Sequence, residues 1–163
     1  MTAFPRERHS LPGCRLRPLE LADHPAMARY LAGMDPWASL GYGAEALERY
    51  LGRDDEALYR FAVEHGDDDQ AGLLALRSPW LRGPYIELLA VFPAHQGKGL
   101  GRALMDWTAG RAAQVSANLW ACVSGFNASA RGYYAAQGFV ELASLDDLVA
   151  PGFAEILVRR RLG

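Results

Sequence analysis

The stretch Tyr85-Ile86-Glu87-Leu88-Leu89-Ala90-Val91-Phe92-Pro93, followed after Ala94 and His95 by Gln96-Gly97-Lys98-Gly99-Leu100-Gly101, decides how this chain folds. Its first half is almost wholly apolar, as expected of a central strand covered on both faces, and Pro93 ends it. Its second half is a glycine turn, beyond which Leu100, Ala103, Leu104 and Trp107 recur at i, i+3, i+4 and i+7, the stripe of a helix. A strand therefore runs through a glycine-rich turn into a helix. That order gathers free N–H groups and the positive end of the helix dipole at one point, where an anion such as a pyrophosphate binds.

Two familiar nucleotide signatures do not fit the turn. A P-loop needs lysine followed by Ser or Thr, whereas Lys98 is followed by Gly99. A dinucleotide fingerprint needs G-x-G-x-x-G, whereas Gly97, Gly99 and Gly101 are spaced G-x-G-x-G. Alone, the turn suits a tight bend as well as a ligand site. A later run adds information: Asn127, Ala128, Ala130, Tyr133, Tyr134, Gly138 and Phe139. Asn127 and Tyr134 are seven residues apart, so they lie nearly above one another on one helix face with small residues between. An extended ligand can run along such a face and end at a phenol. Taken singly, Asn127 reads as an N-cap and Tyr134 as a core aromatic.

Outward from these runs, residues 1–13 read as a loose arm and 14–19 as a first strand. Helices follow at 21–34, with Asp23 placed to cap or begin it, and at about 44–52, separated by a Pro- and Gly-containing loop that carries Trp37 and Tyr42. Strands at 58–64 and 71–77 flank the acidic turn Gly66-Asp67-Asp68-Asp69. After the glycine turn and its helix come a strand at 118–123, a helix at 127–137 and a strand pair at 139–143 and 153–161. The order implies an α/β layer architecture with a mixed sheet of about seven strands and about four helices.

With 163 residues, 50% of them hydrophobic, the chain reads as one globular domain, 1–163, able to bury a core without staples. A net charge of -2 excludes the basic footprint of a nucleic-acid binder. Two cysteines, Cys14 and Cys122, suggest neither a disulfide framework nor a zinc site, and no run is apolar enough for a signal peptide or a membrane span. A cytoplasmic protein is the expectation.

On the motifs quoted above the chain resembles the GNAT superfamily of N-acetyltransferases. The Q-x-x-G-x-G signature stands as Gln96, Gly99 and Gly101 after Leu89-Ala90-Val91, and the later N-x-x-A-x-x-Y-Y-x-x-x-G-F run as Asn127, Ala130, Tyr133, Tyr134, Gly138 and Phe139. The resemblance implies acetyl-CoA in a V-shaped split between two central parallel strands of a mixed sheet. It implies that the backbone around Leu89, Ala90 and Val91 pairs with the pantetheine arm. The N–H groups of Gly97, Lys98, Gly99, Leu100, Gly101 and Arg102 would hold the pyrophosphate. Asn127 would bond the pantetheine, and Tyr134 would face the sulfur.

Tyr134 suits a general acid, since a phenol near pKa 10 stays protonated at neutral pH while a departing thiolate near 8.5 needs a proton. Glu87, the one carboxylate in the strand, is the candidate base, and burial is expected to raise its pKa. It could equally orient the acceptor amine or face a structural partner. His24, His65 and His95 read as surface residues without metal-ligand spacing, and Cys122 as a buried structural thiol. The resemblance places Trp37, Tyr42 and Tyr85 near the acceptor. The expected partner is a small-molecule or peptide amine, with no nucleic acid or membrane, and with pairing of two copies through the final strands. The alternatives are an acyl-CoA-binding module without catalysis and a protein or peptide N-acetyltransferase.

Overall fold

The computed structural model describes residues 2–163. The chain runs β1 (His9–Leu11), β2 (Cys14–Pro18), α1 (His24–Ala32), α2 (Ala44–Leu51), β3 (Leu58–His65), β4 (Asp68–Arg77), β5 (Tyr85–Val91), α3 (Leu100–Ala112), β6 (Asn118–Ser124), α4 (Ala128–Ala136), β7 (Val140–Asp146) and β8 (Ala154–Arg161). All eight strands form one sheet in the order β1-β2-β3-β4-β5-β6-β8-β7. Only β5 and β6 pair in parallel, the rest being antiparallel. The helices divide between the faces. Leu100, Leu104 and Met105 of α3 and Tyr134 of α4 pack with one core, and Met27, Leu31, Leu47 and Leu51 of α1 and α2 with the other.

The sheet has eight strands where about seven are expected. The extra one is β1, which comes from the segment read as a loose arm and forms a hairpin with β2 across Gly13 at φ +81°. Three residues carry no readable periodicity, so such a strand is invisible as a pattern. The arm is anchored as well, for Phe4 is fully buried between the rings of Tyr59 and Trp107, with centroids 5.9 Å away in each case. The helix expected over 21–34 resolves into a 3-10 turn at Leu21–Asp23 and then α1, with Pro25 in its first turn where the missing N–H costs nothing. The acidic turn shortens to Gly66-Asp67, because Asp68 and Asp69 belong to β4.

Two irregularities position the site. On β5, Leu88 pairs with Ala75 and Ile86 with Leu76, which leaves Glu87 as the extra residue of a β-bulge. The bulge shifts the alternation, so Ile86 joins the α3–α4 core while Leu88 and Ala90 join the α1–α2 core. Beyond it β5 leaves its parallel neighbour, and the pairing with β6 is confined to Tyr85 with Trp120 and Ile86 with Ala121. The V-shaped split expected between the central strands is this divergence.

Candidate functional site

A cavity of about 840 Å³ opens in the split. Its long wall is the edge of β5. The Phe92 N–H donates to the Ala71 carbonyl, and antiparallel alternation then turns the polar groups of Ala90 toward β4 and those of Leu89 and Val91 toward the split. The Gln96 amide confirms that direction by donating to the Val91 carbonyl over 2.9 Å. This bond ties the glycine turn to the strand's end.

Within the turn, Gly97 and Gly99 have φ of +73° and +82°, a conformation in which a side chain is strained. Gly99 is the N-cap of α3, and Ala103 is the first residue whose N–H reaches back to it, over 3.1 Å. The N–H groups of Leu100, Gly101 and Arg102 are therefore the unpaired donors of a helix start. Gly101 serves packing. A Cβ there would stand 3.4 Å from the Tyr133 ring, whose hydroxyl donates to the Gly101 carbonyl over 2.7 Å and joins α4 to α3. The side chains of Lys98 and Arg102 are exposed and do not line the cavity, so any part they take in binding an anion falls to their backbone.

On the far side, Asn127 caps α4 by accepting from the Ala130 N–H over 3.1 Å, and it lines the cavity together with Tyr134 one face along. Cap and cavity wall are thus one residue. Tyr134 is buried, and among the described residues its hydroxyl has no hydrogen-bond partner. Burial, and then the neighbouring Cys122, push its phenol far above the usual 10. Burial raises the Cys122 thiol as well, which keeps it neutral and a poor nucleophile. Cys122 is half-buried and lines the cavity, where a fully buried thiol is the expectation.

Glu87 also lines the cavity, with both oxygens committed: Arg77 Nε donates over 3.0 Å and Tyr50 Oη over 2.7 Å. Arg77 in turn holds Asp55 at 2.9 Å. The bulge carries this carboxylate into a network and not into bare apolar surroundings. Trp37, Tyr42 and Tyr85 all line the same cavity. Of the histidines, His95 is not a free surface residue: its Nδ1 lies 2.8 Å from that of His65, its Nε2 lies 2.7 Å from Asp68, and it borders the cavity beside the turn.

Two further wall residues carry no motif. Ser124 of β6 and Glu155 of β8 face each other in register at the cavity's edge, 1% and 8% exposed. A lone carboxylate in an apolar strand is the signal that marks Glu87 in β5, and the same signal applies to Glu155 in Ala154-Glu155-Ile156-Leu157-Val158.

A family model described as the acetyltransferase (GNAT) family matches residues 20–139, which span the split, the glycine turn and helices α1 to α4. The chain belongs to the GNAT family. Streptothricin acetyltransferase of Streptomyces lavendulae is 38% identical to this GNAT chain over 96 residues, 58% of the chain and 50% of that protein, so the chain spans about half the length of that relative. The crystal structure of nourseothricin acetyltransferase aligns with a TM-score of 0.60 at 28% identity, over 68% of each chain. Spermidine N-acetyltransferase from Vibrio cholerae, solved with CoA and spermine, aligns with a TM-score of 0.69 at 21% identity, over 92% of this chain and 96% of that one. The last likeness is one of fold.

Proposed function

We propose that this chain is an acetyl-CoA-dependent N-acetyltransferase that moves an acetyl group to a primary amine by direct attack in a ternary complex. One observation carries the reading. A single cavity is bordered by the glycine turn, by the outward edge of β5 at Leu89 and Val91, and by the unpartnered Tyr134 phenol. Bound acetyl-CoA supplies an activated acetyl group on a sulfur that must leave. The N–H groups from Gly97 to Arg102 hold its pyrophosphate, Leu89 and Val91 pair with the pantetheine arm as an added strand does, and the Asn127 amide bonds that arm.

Tyr134 then protonates the departing sulfur. Its phenol stays protonated across the neutral range. The burial that raises it also raises the Cys122 thiol in the same cavity, so a thiolate released there is correspondingly more basic than in water. Proton transfer between the two is not made uphill by burial alone. Cys122, kept neutral, forms no acetyl-enzyme, and Glu87 with Arg77 and Tyr50 shapes the acceptor end together with Trp37, Tyr42 and Tyr85. The likeness to streptothricin acetyltransferase and the aromatic walls favour a small amine over a protein chain.

The test is thiol release from acetyl-CoA over a panel of amino acids, polyamines, streptothricin and peptide N-termini. Release that requires both acetyl-CoA and an amine is the expected result. Tight CoA binding without release for any amine would reduce the protein to a binding module, and release with peptides alone would move the acceptor to the protein class.

A further inference from the structure

Glu155 is the buried carboxylate on the cavity wall, and no cation among the described residues balances it. It is 8% exposed, and its Oε2 has no hydrogen-bond partner among the described residues. The Ser124 hydroxyl opposite it, 1% exposed, has none either. The Ser124 hydroxyl is near enough to lower the carboxyl's pKa as a hydrogen-bonding neighbour, against the larger effect of burial, but the pair lacks the geometry of a formed hydrogen bond. Among the described residues no Arg, Lys or His nitrogen comes within ion-pair distance of Glu155. Burial pushes the carboxyl above its usual range. Buried polar groups in folded proteins are almost always paired, and a buried unpaired charge is costly. Two adjacent orphans, an acceptor and a donor–acceptor on one cavity wall, point to a partner that arrives from the cavity.

We propose that Glu155, with Ser124 beside it, receives the acceptor nitrogen, binding the substrate as an aliphatic primary ammonium and taking the proton that must leave before that nitrogen can attack. This rests on the acetyltransferase reading and names the substrate class within it. Glu87 is placed differently: each of its oxygens accepts one bond, from Arg77 and from Tyr50, and the Arg77 guanidinium already balances its charge. Trp37, Tyr42 and Tyr85 line the same cavity, and aromatic rings attract cations through their faces. The protons and electrons balance as follows. The ammonium gives one proton to the Glu155 carboxylate, and the freed nitrogen lone pair forms the bond to the acetyl carbon. The carbon–sulfur bond breaks with its electron pair on sulfur, which takes the Tyr134 proton. The second proton lost by nitrogen restores Tyr134 through solvent, and Glu155 releases the first to solvent, so one proton is released per turnover.

The decisive variant is Glu155→Gln, which keeps the shape and removes the charge. Expected are a higher KM for the amine, a lower kcat and a fall in kcat/KM of at least ~10²-fold, with the Kd for CoA by calorimetry unchanged and no loss of thermal stability. A second arm titrates L-lysine, spermidine and streptothricin into the protein–CoA complex. An amine that binds wild type should bind Glu155→Gln at least ~10-fold more weakly, while Glu155→Asp, which keeps the charge, recovers part of that loss. Unchanged kcat/KM, or equal amine binding by wild type and Glu155→Gln, overturns the proposal and leaves the acetyltransferase reading standing. Wild type that binds CoA but releases none with any amine sinks that reading. In that event Glu155-dependent amine binding still supports the site, and binding by no amine overturns it.

Discussion

Asp23 and Glu155 are both buried carboxylates, 4% and 8% exposed, the first in the 3-10 turn after β2 and the second in β8 in the other half of the sheet. Asp23 sits after β2 and accepts two bonds from Arg17, at 2.7 and 2.8 Å, with a third from Gln70 at 3.0 Å and a fourth from the Glu20 N–H at 2.8 Å. Burial opposes its ionisation, but the Arg17, Gln70 and Glu20 bonds outweigh it and hold the carboxyl at about 2. Glu155 has no such set, and burial wins there, raising the carboxyl. The same chemical group is driven in opposite directions by its partners alone. A charge whose every lone pair is used belongs to the fold. One left short beside a cavity weakens the fold, and such groups persist where function needs them.

The largest effect expected from this contrast is on the satisfied side. Asp23→Ala leaves the Arg17 guanidinium buried beside an empty place, and breaking a buried pair in this way costs about 3–5 kcal/mol. Chemical denaturation should show it as a lower midpoint, with thiol release intact in the fraction that stays folded. A double variant, Arg17→Met with Asp23→Leu, should cost less than Asp23→Ala alone. If it costs more, the pair is a net stabiliser in its own right. The pH dependence follows in sign: with a folded pKa of about 2 against the usual 3.8, Asp23 contributes stability above the usual value, and that contribution is lost as pH falls through about 2. The contribution at neutral pH is about 2 kcal/mol.

Next in size is Tyr134→Phe, a lesion on the unsatisfied side. It removes a hydroxyl that has no partner among the described residues, so stability should hold within about 1 kcal/mol, while kcat falls by ~10²-fold and CoA binding is unchanged. Full activity at every pH would remove Tyr134 from the proton path. Cys122→Ala is a smaller perturbation of the same wall, and turnover should survive it. Mass-spectrometric trapping of an acetyl group on Cys122 would replace direct attack with a two-step transfer.

What was legible in the sequence divides along the same line. The apolar run of β5, the glycine turn and the stripe of α3 are local patterns, and they locate the split and the turn within a residue or two. Asn127 and Tyr134 share a helix face by spacing alone, and both reach the cavity. β1 was not legible, because three residues pair only in the company of β2. The partners of Glu87 were equally hidden, since Tyr50 and Arg77 come from α2 and β4, 37 and 10 residues away in the chain. The bulge at Glu87 depends on the register with β4 and has no local signature. Glu155 shows the opposite case. Its isolation in an apolar strand was readable, but nothing local says that β8 sits beside β6 with Ser124 opposite.

The smallest and most discriminating effect compares the two cavity glutamates by stability. Glu87→Gln removes a charge that Arg77 and Tyr50 both engage, and should lower stability by about 1–2 kcal/mol, as for a lost hydrogen bond to a charged group. Glu155→Gln should do the reverse. A carboxyl raised above its usual 4.5 binds a proton more readily in the folded than in the unfolded chain, so wild-type stability falls as pH rises from that value through the raised one. The amide carries no charge and escapes this loss. Melting temperatures of wild type and Glu155→Gln should therefore nearly coincide at about pH 4 and separate, with the variant higher, toward about pH 7.5. A variant that melts lower at neutral pH would mean that Glu155 has a protein partner after all and belongs with Asp23. A variant that melts higher while losing amine binding would mean that its charge is held against the fold's interest, for a cation that the protein itself does not provide.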